Sequence, residues 1–151
     1  MSASSPFTTE ELAAWRGLLE VHAEVTRRLD AQMRSAHGLS ISAYEVLMFL
    51  LDAPEHRMRM ADIAERVLLS RSGCTRLVDR LTARGYVTRS VADSDGRGLY
   101  AQLTDAGIAM AQDARRTHRA GVRACFLDAL TAGDEQALAA AWARVRAALA
   151  G

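Results

Sequence analysis

No lysine occurs in the chain: all 19 basic side chains among its 151 residues are arginine. Beside the abundant alanine, this marks base composition more than function. Cysteine is nearly as scarce. Cys74 and Cys125 lie far apart and match no metal-ligand spacing, which excludes a disulfide framework or zinc site and leaves two small buried hydrophobes as the expectation. His22 and His118 have no carboxylate or thiol at a recognisable ligand spacing, so no metal site is expected. No apolar run approaches the ~20 residues needed to span a bilayer, and "MSASSPFTTE" lacks the basic-then-apolar order of a signal peptide. A cytoplasmic protein without membrane contact is expected. A Gly-rich phosphate loop, a nucleophile elbow, a pair of acids in a persuasive setting and a Cys–His pattern are all missing, so neither an enzyme nor a bound cofactor is expected.

What is present suits one globular domain: 50% hydrophobic and 25% charged residues, with no low-complexity tract or repeat. The net charge of +1 hides an uneven distribution. Residues 57–97 hold nine arginines against five acids, a balance of +4, while the rest of the chain stands at −3. A basic centre between acidic flanks hints at a polyanion partner for the centre alone.

Helical periodicity dominates. Thr8 followed by Glu11 has the form of a capping box, and Leu12, Trp15, Leu18, Leu19, His22, Val25, Leu29 and Met33 recur at spacings of three and four until Gly38 offers a stop. That helix would run ~40 Å, longer than so small a domain covers by itself, so its apolar stripe implies a partner, most simply a second copy of the chain. A second helix, capped by Ser42, ends before Pro54. "MADIAERV" is a short third helix.

From Arg71 to Arg84, behind the N-cap Ser70, the pattern is sharper. Cys74, Leu77, Val78 and Leu81 form one apolar face, Arg71, Ser72, Thr75, Arg76, Asp79 and Arg80 form the other, and Gly85 ends the helix. Two short helices followed by a hairpin, "YVTRSV" and "LYAQL" about a Gly and Asp loop, is the element order of a winged helix-turn-helix, which places its second helix in the DNA major groove. An ordinary solvated face explains the polar side of that helix equally well when it is taken alone. The hairpin shifts the balance, because a lone Arg97 at the loop tip suits the narrow, electronegative minor groove. Thr104 then caps a helix reaching Leu130, and "DEQALAAAWARVRAAL" forms the last.

"DSDGRGLYAQLT" followed by "DAG" resembles the wing signature of the MarR family of bacterial transcription regulators. Asp95, Arg97, Leu103, Thr104 and Gly107 match, and Ala101 stands in the valine place. The resemblance covers almost the whole chain and implies a mainly α fold with a small β-hairpin wing, one domain over 1–151. Helices at about 9–37 and 105–150 would form a homodimer, and about 42–104 a winged helix-turn-helix lobe bound to double-stranded DNA at a pseudo-palindrome. Carried over residue by residue, it implies Ser70, Arg71, Ser72, Thr75, Arg76 and Arg80 as recognition-helix contacts, Arg97 as the minor-groove contact and Asp95 as a brace for the wing. It also implies release by a small aromatic or phenolic acid. Trp15, Arg16 and His22 offer an apolar wall, a bidentate cation and a hydrogen-bonding ring for such an effector, or else they belong to the dimer seam and the solvated surface. A winged-helix architectural or protein-interaction module without ligand response is the competing reading.

Overall fold

The structure, a computed structural model, describes residues 6–67, 69–91 and 98–151. Six helices carry the chain: α1 (Thr9–His37), α2 (Ile41–Asp52), α3 (Met60–Arg66), α4 (Arg71–Ala83), α5 (Asp105–Cys125) and α6 (Ala132–Ala150). Three strands, β1 (Arg57–Arg59), β2 (Val87–Val91) and β3 (Leu99–Leu103), form an antiparallel sheet in the order β1-β3-β2. The wing is therefore one strand wider than the predicted hairpin. Three residues around a methionine give no readable alternation, and β1 exists only because β3 offers it an edge, pairing Met58 with Ala101.

The chain divides into two compact units, residues 1–28 with 120–151, and residues 29–119, so the division falls inside α1 and α5. Every buried hydrophobic side chain among the described residues lies in the second unit. Met33, Val46, Leu47, Leu50, Ile63, Val78, Leu81, Val87 and Ala101 belong to its core, as does Cys74 on the buried face of α4. No helix among the described residues is long and apolar enough to cross a membrane.

Local chemistry sets the helix ends. The Thr8 and Glu11 side chains each accept the other residue's backbone N–H, at 3.1 and 2.8 Å, closing the capping box that starts α1. Gly38 ends it at φ +65°, where a side chain would be strained. Ser40, not Ser42, caps α2, its hydroxyl accepting from Ala43 N at 3.1 Å. A cap must be the residue before the first helical one, and apolar spacing leaves that position uncertain by a turn. α5 stops at Cys125 rather than Leu130, because Phe126 leaves helical geometry, and Thr131 starts α6 with a second capping box onto Asp134.

Candidate nucleic-acid interface

α4 carries the feature that the sequence pointed to. Ser70 caps it by accepting from Gly73 N at 3.1 Å. Cys74, Leu77, Val78 and Leu81 are buried, and Arg71, Ser72, Thr75, Arg76, Asp79 and Arg80 are exposed. The exposed groups are not equivalent. The Thr75 hydroxyl donates to Arg71 O at 2.9 Å, and the Ser70 and Ser72 hydroxyls lie 3.2 Å apart, so all three are engaged in local bonds. Among the described residues, the guanidinium groups of Arg71, Arg76 and Arg80 make no hydrogen bond or ion pair. The fifteen N–H donors of these three arginines, at five for each, find no acceptor among the described residues.

The helix is tied down from both sides. Arg89 of β2 reaches Asp79 at 2.6 Å and donates to Thr75 O at 3.1 Å, fastening the sheet to the middle of α4. Asp79 is thereby paired with a cation, which offsets its repulsion of an anion at the arginine face. At the far end, Gly85 (φ +76°) and Tyr86 donate back to Thr82 O and Leu81 O, a Schellman closure. Arg84 then donates to Gly38 O and His37 O, both at 2.9 Å, placing a cation on the orphan carbonyls that end α1. Sequence reasoning missed the Arg89 clamp, although a signal existed. Strand alternation from the buried Val87 turns residue 89 inward, and an inward arginine requires a partner.

Thr104 and Gly107, two residues of the wing signature, have plain structural work. Thr104 Oγ1 donates to Gly85 O at 2.6 Å and accepts from Gly107 N at 3.0 Å, binding the start of α5 to the turn after α4. A Cβ on Gly107 would overlap the Tyr86 carbonyl oxygen, so only glycine fits. Asp95 and Arg97 lie outside the described residues. On the sheet, Tyr100 sits under two cations that the sequence did not connect: the Arg57 guanidinium is 4.2 Å from its ring centre, and Arg59 Nε donates to its hydroxyl at 2.9 Å.

Cys74 is 1% exposed, and burial pushes its thiol pKa up, opposite to what a reactive thiolate needs. In the terminal unit, Trp15, Arg16 and His22 are all exposed on α1. Seven residues make nearly two turns, so Trp15 and His22 share a stripe, whereas Arg16 points about 100° away from Trp15. A single helix does not bring the three together.

Two short helices, the second held against a three-stranded antiparallel wing, define a winged helix-turn-helix. The MarR family sequence model matches residues 37–98. AbsC, a MarR family transcriptional regulator from Streptomyces coelicolor, is 32% identical with a TM-score of 0.87, over 98% of this chain and 99% of AbsC. Sco3205 from the same organism, a MarR family transcriptional regulator solved in complex with DNA, is 30% identical with a TM-score of 0.85, over 95% of this chain and 94% of Sco3205. The transcriptional repressor YetL of Bacillus subtilis is 33% identical over 75 residues, 50% of this chain and 45% of YetL. The matched segment spans about half the length of such curated relatives. The chain belongs to the MarR family of transcriptional regulators.

Proposed function

We propose that the chain is a repressor that binds a pseudo-palindromic DNA operator as a homodimer and is released by a small aromatic or phenolic acid. The observation that carries the DNA reading is the guanidinium groups of Arg71, Arg76 and Arg80, without a partner among the described residues, on a helix whose other face is core. Such a helix fits a major groove, where arginine reads guanine bidentately and also holds phosphate. Ser70, Ser72 and Thr75 add phosphate or base contacts through what remains of their hydroxyl capacity, with Arg97 as the minor-groove contact and Asp95 as its brace. The similarity to Sco3205 supports the reading.

Dimerisation is supported by apolar surface that one chain leaves open in the terminal unit: Trp15 (53% exposed), Leu19, Val21, Trp142, Val145 and Leu149. Homodimers pair the same patch on both copies, which this surface suits. The effector reading rests on Trp15, Arg16 and His22, and α1 of a second copy would have to bring Arg16 into register with the other two.

Titration of the protein against its own upstream region and against random DNA, at several salt concentrations, tests the proposal. Specific binding should exceed random binding by about three orders of magnitude or more. Arg76→Ala should cost about 1–3 kcal/mol at a guanine position, or less and evenly across sequences if Arg76 holds only phosphate. Equal affinities with one steep salt slope would favour an architectural role instead.

A further inference from the structure

We propose that the outer face of the sheet, around Arg57, Ser90 and Tyr100, holds a backbone phosphate of the DNA duplex that α4 enters. This contact is separate from the arginine face of α4 and rests on the DNA-binding reading above. Register and alternation define the outer face. Met58, Val87, Arg89, Ala101 and Leu103 turn toward the core or α4, so the opposite side carries two cross-strand rows, Arg59, Tyr100 and Ser90 in one and Arg57, Gln102 and Thr88 in the other. None of the six is acidic. Arg57 crosses the sheet: its guanidinium carbon lies 4.2 Å from the Tyr100 ring centre, and its Nη2 donates to Ser90 Oγ on the far strand at 3.2 Å. The side chain is half-buried, its Nε has no hydrogen-bond partner, and it forms no ion pair among the described residues. A cation drawn partly out of water without a counter-ion is a costly arrangement that an anion relieves.

The hydroxyl groups beside it are set as donors. A guanidinium has no acceptor, so Ser90 Oγ accepts from Arg57, and the Tyr100 hydroxyl accepts from Arg59 Nε at 2.9 Å, which leaves each hydroxyl its own hydrogen to give. Neither hydrogen meets an acceptor among the described residues. Two O–H donors beside a guanidinium suit an oxyanion. The face is an open sheet, where a free ion keeps most of its hydration, whereas a phosphate tethered to a duplex already held by α4 arrives at high effective concentration. Topology favours the same source. Arg89 ties α4 to the inner face, so the outer face is turned away from α4. A wing at the mouth of the minor groove has one backbone on each side, and the outer face meets the one that α4 does not follow.

Duplexes from the upstream region, each carrying one uncharged methylphosphonate linkage at a position flanking a half-site, test the contact when titrated with wild-type protein, Arg57→Met and Tyr100→Phe. One flanking linkage should weaken wild-type binding about tenfold and Arg57→Met binding by about twofold at most, because the variant has already lost that contact. On unmodified DNA, Arg57→Met should bind operator and random sequence about tenfold more weakly alike, with a salt slope shallower by about one. Tyr100→Phe, which keeps the ring under Arg57, should lose about threefold and keep the slope. Unchanged thermal melting separates a lost contact from a lost fold. The site is overturned by the absence of any flanking linkage coupled to Arg57 or Tyr100, by coincident salt slopes of wild type and Arg57→Met, or by a changed base preference in that variant. Saturable NMR shifts at Ser90 and Tyr100 with inorganic phosphate alone, lost in Arg57→Met, would assign the face to a free ion and overturn the backbone contact. Wild-type protein that binds neither operator nor random DNA overturns the DNA reading and this contact together, whereas intact wild-type binding without coupling overturns the contact alone.

Discussion

Residues 29–119 and the terminal unit are built from similar amounts of leucine, valine and alanine and use them in opposite ways. The 29–119 unit buries its apolar side chains: Met33, Val46, Leu47, Leu50 and Ile63 are fully covered. The terminal unit leaves Trp15, Leu19, Val145 and Leu149 open, and Leu149 is 82% exposed. A fully buried leucine contributes about 1.5–3 kcal/mol relative to an exposed one, so the 29–119 unit carries its own stability while the terminal helices have theirs still to gain. The same apolar stripe is core when other elements of the chain cover it, and interface when none does.

The largest test of this contrast sets one leucine against another. Leu47→Ala should cost about 2–5 kcal/mol of unfolding free energy, independent of protein concentration. Leu19→Glu should instead shift the sedimentation coefficient toward the monomer and make thermal stability depend on concentration. Equal effects of the two on a monomeric protein would erase the distinction. Next, Gly107→Ala should cost about 3 kcal/mol by denaturant melt, since the new methyl group must displace Tyr86 backbone, whereas Gly17→Ala, where nothing lies within reach, should be neutral or slightly stabilising. A smaller loss, about 1 kcal/mol, is expected for Arg89→Met, because the Asp79 partner is half-exposed and screened. Operator affinity should fall by more than stability does if the clamp sets the angle of α4.

The smallest effect is a pH dependence confined to the 29–119 unit. His118 stacks on Tyr44 with ring centres 4.5 Å apart, and burial lowers its pKa. The folded protein therefore binds fewer protons there than the unfolded chain. The contribution is complete above the ordinary histidine value near 6.5 and is lost as the pH falls through it toward the lowered folded value. Melting temperature should drop between about pH 7.5 and 5.5, and His118→Phe, which keeps a ring on Tyr44, should flatten the drop. An unaltered pH profile in that variant would rule the histidine out.

Much of this was legible beforehand because it is local. The capping box at Thr8, the stop at Gly38, the cap at Ser70 and the division of α4 into a buried and an exposed face need only neighbours within a turn or two. The errors were local as well: Ser42 for Ser40, and an α5 that ran on through Phe126. What stayed hidden was pairing between distant segments. Strand β1, the Arg89 grip on Asp79 and Thr75 and the Arg84 cap on α1 each join residues ten or more positions apart or lack a pattern of their own.

The sequence alone determined that a basic, faceted helix would be followed by a wing, because hydrophobic period, caps and glycine stops act over a few residues. Tertiary structure decided which of those arginines are spent and which remain available. Arg84 and Arg89 went to the scaffold while Arg71, Arg76 and Arg80 find no acceptor among the described residues. An arginine's role depends on which acceptors the fold brings within about 3 Å of it, and the residue's own position in the sequence does not record that.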